Sequence, residues 1–236
     1  MTGRFAALIL DFDGVVADSE SISNRSLAQS LTAIGLPTTF EDCLRDYCGH
    51  NWSETERRIE ARLASKLPLD FRDSHRQRTR IRMEAELAAV TGVAEFLDAH
   101  RGLSKGIASS SRVEWLQWAL AKLDLAHHFG DHLFSADGFA RGKPHPDIYL
   151  SAAAGLGVDP ARCLAIEDSP IGARAAVAAG MTVVGLVAAG HIADRETHAA
   201  ALRAVGVHRI AFAFSEIGLE AVPPSLDRER ACSRLE

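Results

Sequence analysis

Asp11-Phe12-Asp13-Gly14 sets two carboxylates two residues apart, directly behind the apolar run Ala6 to Leu10. If that run is a strand ending at Asp11, a curl permitted by Gly14 lets both acids face one ligand. Alone the pair says little, because short acidic pairs are also common turn formers. A second acidic pair, Glu167-Asp168, follows the apolar run Cys163 to Ile166 and precedes Ser169-Pro170. It reads as part of a site, or as helix capping with Ser169 or Asp168 at the N-cap and Pro170 at the first helical position; both can hold. Carboxylates gathered at one edge repel one another unless a cation sits among them, and an all-oxygen set suits Mg²⁺. Asp11, Asp13, Glu167 and Asp168 are therefore the expected metal ligands.

Lys143 lies in Arg141-Gly142-Lys143-Pro144-His145-Pro146-Asp147, in a chain whose other lysines are only Lys66, Lys105 and Lys122. Lysine in a loop is commonly a solvated charge; here a compact ammonium could instead offset carboxylates and phosphate oxygens. Ser109-Ser110-Ser111-Arg112 ends a third apolar run and leads into a helical pattern. The serines read as an N-cap run or as a cluster of hydroxyls and N–H groups for an anion.

The elements that must position these residues alternate. Short apolar runs at Ala6 to Leu10, Gly106 to Ala108, Cys163 to Ile166 and Thr182 to Leu186 read as strands buried on both faces. Helical patterns cover about 113–123, 146–155 and the Ala-rich stretch from Pro170 to Gly180. Alternation predicts an α/β fold with a Rossmann-like parallel sheet, and it brings all the strand ends to one edge. Residues 18–88 break the pattern with helix signals and no strand, so the expected organisation is a core of 1–17 and 89–236 with an inserted α-helical domain of 18–88. Its helices are expected from Ser19 to Gly35, from Phe40 to Cys48, from a capping box at Ser53-Glu54-Thr55-Glu56 to about Lys66, and from Phe71 to Val90. The tail beyond Pro223 is expected to fray.

With 236 residues, 47% apolar and 24% charged, the chain has the composition of a folded globular protein. Its net charge of −5 offers no positive field for nucleic acid or an anionic membrane surface. The longest apolar run near the N-terminus is too short for a signal-peptide core or a membrane span, so a cytoplasmic location is expected. Four cysteines without a CxxC pair read as reduced thiols, and His127-His128 reads as a helix end rather than a zinc site.

Taken in order, LILDFDGV, IASSS, GKPHPD and LAIEDS closely resemble the four motifs of the haloacid dehalogenase superfamily of phosphotransferases. The helical insertion behind the first motif is similar to the cap of the subgroup holding β-phosphoglucomutase and many small sugar-phosphate phosphatases. The resemblance implies Asp11 as nucleophile, Asp13 as general acid/base, Ser109 as phosphate contact, Lys143 as balancing charge, and Glu167 with Asp168 at the magnesium site. It also implies the reaction class: dehalogenases of the superfamily lack the second acid and need no metal, so Asp13 points to phosphate. Gly14, Ser110, Ser111 and Arg112 are the further residues expected to contact substrate from the core.

The implied reaction is Mg²⁺-dependent hydrolysis of a small phosphorylated metabolite, a sugar, sugar-acid or polyol phosphate, through an aspartyl phosphate, by a chain expected to work as a monomer. A phosphohexomutase is the alternative. The mutases resembled here carry a cap histidine where this chain has Ser23 and a cap arginine where it has Trp52. A silent phosphometabolite sensor is a third reading, but it has no need of both a nucleophile and an acid. Gly49, His50 and Trp52 form the candidate specificity loop, although Trp52 equally reads as cap core. Arg72, Arg76, Arg78, Arg80 and Arg82 read as a solvated face or as an attraction for an anionic substrate.

Overall fold

A computed structural model of the chain describes residues 5–48, 52–136 and 139–219. Four of the six strands are the apolar runs of the sequence: β1 (Ala7–Leu10), β2 (Ser104–Ser109), β4 (Cys163–Glu167) and β5 (Thr182–Leu186). Two three-residue strands, β3 (Leu133–Ser135) and β6 (Arg209–Ala211), complete a parallel sheet of order β3-β2-β1-β4-β5-β6. Every residue of β1, β4 and β5 is buried, which is why these strands read as unbroken apolar runs.

Five helices belong with the sheet: α5 (Val93–Ala99), α6 (Val113–Lys122), α7 (Asp147–Gly155), α8 (Pro170–Ala178) and α9 (Arg195–Ala204). They bury two apolar clusters. One gathers Leu8, Leu10, Phe96, Leu116, Ile166 and Phe214, the other Ile9, Tyr149, Ala152, Ala173, Val183 and Leu202. The start of α8 is the one the sequence spells out: the Ser169 side chain accepts the Gly172 N–H, and Pro170 occupies the first turn.

Between β1 and β2 lie α1 (Ser19–Ala33), α2 (Phe40–Asp46), α3 (Trp52–Leu63) and α4 (Phe71–Glu86), none of which joins the sheet. They carry an apolar cluster of their own, including Leu27, Leu31, Tyr47, Ile59 and Phe71. Two details differ from the expectation. The capping box is at Thr39 and Asp42, opening α2, whereas Ser53 already lies inside α3. α4 stops at Glu86 rather than Val90, because the chain turns extended at Leu87 to cross the outgoing segment. The Asp18 N–H donates to the Ala88 carbonyl, the Val90 N–H to the Val16 carbonyl, and Ala17 pairs antiparallel with Ala89. Among the described residues no helix is long and apolar enough to cross a membrane.

Candidate active site

β1 and β4 are neighbours in the sheet, and successive strands run outward from them on opposite sides. Sheets of this kind take their ligands at that switch point, in the crevice beyond the carboxyl ends of the strands. Asp11 follows β1 there, its N–H donating to the Ile166 carbonyl at 3.0 Å, and Asp168 follows β4. Oxygens of Asp11, Glu167 and Asp168 lie within 4.8 Å of one another, and all three residues are buried. Burial first, then the Glu167 charge, pushes the Asp11 carboxyl up to about 7, with Lys143 opposing. Burial and then Asp11 hold the Asp168 carboxyl well above the usual range. Hard carboxylate oxygens gathered this closely, with like charges that disfavour one another, fit a hard divalent cation beside them.

Lys143 is the counter-charge at this edge. Its Nζ donates to Asp11 Oδ1 at 2.8 Å and to Glu167 Oε1 at 2.5 Å, with the side chain only 7% exposed. Burial alone would lower the ammonium pKa, but the two carboxylates outweigh it and raise it, so the group stays charged. Tyr149 on α7 lies under it, ring centroid 5.2 Å from Nζ, and donates its hydroxyl to Glu167 Oε1 at 2.7 Å. Glu167 Oε2 accepts both the N–H and the hydroxyl of Ser169 at 3.1 Å. Each oxygen of Glu167 thus holds two donors, which fills the acceptor capacity of a carboxylate. Glu167 anchors Lys143, and the oxygens with room for a cation belong to Asp11 and Asp168.

Asp13 departs from the expected ligand set. Its Oδ1 accepts the Ser19 hydroxyl at 2.5 Å and its Oδ2 the Ser111 hydroxyl at 2.6 Å, so the carboxylate stands apart from the acidic cluster. The cause is the curl after β1. Gly14 adopts φ +85°, its N–H bonds to the Ala17 carbonyl, and the N–H groups of Val16 and Ala17 return to the Phe12 carbonyl. A Cβ at position 14 would sit 1.9 Å from Asp168 Oδ2, so the close approach of this turn to Asp168 needs glycine.

The other expected residues divide. Ser109, 1% exposed, accepts the Ser111 N–H at 3.0 Å and shapes the loop that delivers Ser111 to Asp13. Ser110 is exposed, and Arg112, not a serine, is the N-cap residue of α6; its guanidinium is exposed, 3.4 Å from Glu114. Gly49 and His50 lie outside the described residues. Trp52 packs inside the helical insert, stacked on Phe71 and His75 with Arg72 over its ring.

Several further residues stand at this edge, Ser19 and Glu20 from the segment Asp18-Ser19-Glu20 that resembles the family's cap entry, the others without a motif signal. Ser19 and Tyr149 hold Asp13 and Glu167. Glu20 accepts from Asn24 Nδ2 at 3.2 Å, and burial, then Asp13, pushes its carboxyl up to about 7. His191 and His198 both reach Asp168. Tyr149 had a legible sign, since a tyrosine in the apolar row of a core helix needs a partner for its hydroxyl.

Asp98, His127 and His128 form a second group of possible ligands, at the opposite end of the sheet. There Asp98 Oδ1 already takes two Arg101 donors, and Arg101 and Lys105 make the surroundings positive. His127-His128 is the short 3₁₀ turn 126–128, and the group reads as a balanced charge cluster.

Residues 5–180 match the family model of the haloacid dehalogenase-like hydrolases. The chain belongs to that family. As a haloacid dehalogenase-like hydrolase it is 32% identical over 195 residues to hexitol phosphatase B of Escherichia coli K12, covering 75% of this chain and 82% of that one. It is 30% identical over 186 residues to the fructose-1-phosphate phosphatase YqaB of the same strain, covering 78% and 97%. The crystal structure of a hydrolase of the family from Deinococcus radiodurans R1, with bound phosphate and sodium, superposes with a TM-score of 0.79 at 32% identity, covering 91% of this chain and 94% of that one.

Proposed function

We propose that this hydrolase is a Mg²⁺-dependent phosphatase that cleaves the monoester of a small phosphorylated sugar or polyol through an aspartyl phosphate on Asp11. The observation that carries the reading is the separation of the two acids of the first motif: Asp11 tied to Lys143 inside the buried cluster, Asp13 held outside it by Ser19 and Ser111. That separation supports a division of labour in which one acid attacks phosphorus and the other manages the proton.

Asp11 forms a bond to phosphorus as the ester P–O bond breaks, and Asp13 delivers a proton to the departing oxygen. Asp13 then removes a proton from the water that attacks the aspartyl phosphate, releasing inorganic phosphate and restoring Asp11. Lys143, fixed by Glu167, offsets the charge on Asp11 and on the phosphoryl oxygens. Ser109, Ser110, Ser111 and the N–H groups of their loop line the side of the site from which those oxygens are held. Asp11 and Asp168 would hold the cation, which supplies further neutralisation of the phosphoryl charge when bound. Residues 18–88 serve as the cap over the leaving group, and the sugar and polyol phosphates named for the two relatives support that substrate class.

The test is phosphate release from a panel of hexitol, hexose, sugar-acid and aryl phosphates, with and without Mg²⁺. Mg²⁺-dependent release from at least one hexitol or hexose phosphate, lost in Asp11→Asn, is expected; no release from any of them would sink the proposal. Ser23 and Trp52 offer neither an imidazole nor a cation for a second phosphate. β-Glucose 1-phosphate with a trace of the 1,6-bisphosphate should therefore give free phosphate rather than glucose 6-phosphate.

A further inference from the structure

We propose that His191 is a positioning residue: it holds the carboxylate of Asp168 in the orientation that receives the divalent cation. The inference rests on the metal reading above and extends it to a loop outside the four motifs.

Asp168 is gripped from two sides by the segment that follows β5. His198, on α9, contacts the Asp168 backbone carbonyl through Nε2 at 2.5 Å, fixing the main chain at the end of β4. His191, in the loop before α9, places Nε2 3.4 Å from Asp168 Oδ2. That oxygen is also the one facing Gly14, where an added Cβ would meet Oδ2 at 1.9 Å and the His191 Cε1 at 3.1 Å. The Gly14 turn and the imidazole therefore close on a single carboxylate oxygen, leaving Asp168 little freedom to turn.

The ring itself is held in place. The His191 side chain is 9% exposed, and its Nδ1 is buried without a hydrogen-bond partner. The Nε2···Oδ2 approach is a contact, longer than the hydrogen bonds of the site; a neutral ring that carries its proton on Nε2 has that oxygen as its near acceptor. The neighbouring Gly190 brings the loop against the start of the cap, since a Cβ there would sit 2.8 Å from Asp18 Oδ2 and 3.2 Å from Ser21 Oγ. The close docking of this loop against Asp18 and Ser21 is what carries His191 to Asp168.

The test compares full-length wild type with His191→Leu, His191→Asn and His191→Gln. Gln can extend an amide N–H to about the place of Nε2; Asn reaches only as far as Nδ1, and Leu has no donor. Mn²⁺ binding is read directly by electron paramagnetic resonance, beside thermal midpoints and Mg²⁺ activation curves. Losing an outer-shell partner of a metal ligand weakens metal affinity about 10- to 100-fold. The Leu and Asn variants should show a loss of that size, with kcat restored at high Mg²⁺, while Gln stays within about threefold of wild type. Because Asn and Gln are both polar and similar in size, their contrast stands even if Leu fails to fold. Wild-type affinity in the Asn variant would overturn the inference alone; absence of Mn²⁺ binding by the wild type would overturn it together with the metal reading.

Discussion

The sheet edge and the helical insert hold their charged groups in opposite ways. At the edge, Lys143, Asp11 and Glu167 are buried together, and each bond is made to a partner fixed at a strand end or a core helix. In the insert, away from Glu20, the ion pairs lie outside: Arg45 with Asp42 and Asp46, Arg57 and Arg58 with Glu54, Arg80 with Glu84, most of them on well-exposed guanidinium groups. Exposed pairs of that kind contribute about 0–1 kcal/mol each, whereas removing one partner of a buried pair costs about 3–5 kcal/mol. Substitution in the first region disturbs a connected network, while in the second it mostly disturbs one contact. On the proposed function, chemistry lies in the region that tolerates little change, and the face over the leaving group in the region that tolerates much.

The largest effect expected from this contrast is at Asp11. Asp11→Asn should reduce phosphate release by about 10⁴-fold or more while the thermal midpoint stays level or rises, because burial and Glu167 already disfavour the charged carboxylate and Lys143 keeps Glu167 as its partner. A parallel loss of activity and midpoint would mean that Asp11 is structural. Lys143→Met comes next, with about 10²- to 10³-fold less activity and about 3–5 kcal/mol less stability by denaturant titration, since Asp11 and Glu167 would face each other unpaired. No charged pair in the insert should match that: Arg57→Ala should leave stability within about 0.5 kcal/mol.

Tyr149→Phe is a milder probe of the same network. It removes one of four donors to Glu167 and should cost about 1 kcal/mol of stability, with a modest fall in kcat. A further contrast lies in pH. Burial, with help from Arg78 and Arg76, lowers the His75 pKa from 6.5 to about 4 in the insert, and burial lowers that of His191 likewise. As pH falls through that window the unfolded chain takes up the protons first, so stability is lost between about pH 6.5 and 4. His75→Phe should keep the aromatic stack and remove the insert's share of the slope, leaving that of His191. Thermal midpoints of both proteins at pH 7 and 4.5 should diverge by a few degrees, and parallel curves would show that His75 is not buried as described.

Strands buried on both faces were legible as apolar runs, and four successive helix patterns between the first two of them were legible as helices outside the sheet. β3 and β6 were missed: each is three residues long at a sheet margin, too short to show any period. α5 and α9 were missed as well, although α9 carries a readable start in Asp194, whose carboxylate accepts the Thr197 N–H. At the site, Asp11 and Asp168 were singled out from their position behind strands, and Lys143 from its proline-flanked loop and the scarcity of lysine. The separation of Asp13 could not, because it depends on the Gly14 turn and on hydroxyls delivered by α1 and by the loop after β2. Nor could the four donors on Glu167, since Tyr149 reaches it only once α7 packs on the sheet. His191 stayed hidden because nothing in its local sequence ties it to Asp168.

The pairing of Ala17 with Ala89 has a consequence for how this molecule could be remade. The chain leaves for the four helices and comes back through two extended segments whose backbones lie side by side, about 5 Å apart. Any helical cassette whose two ends meet at that spacing could be grafted there without altering the sheet's register, and on the proposed function exchange of such cassettes would change what is recognised while Asp11 and Lys143 stay in place.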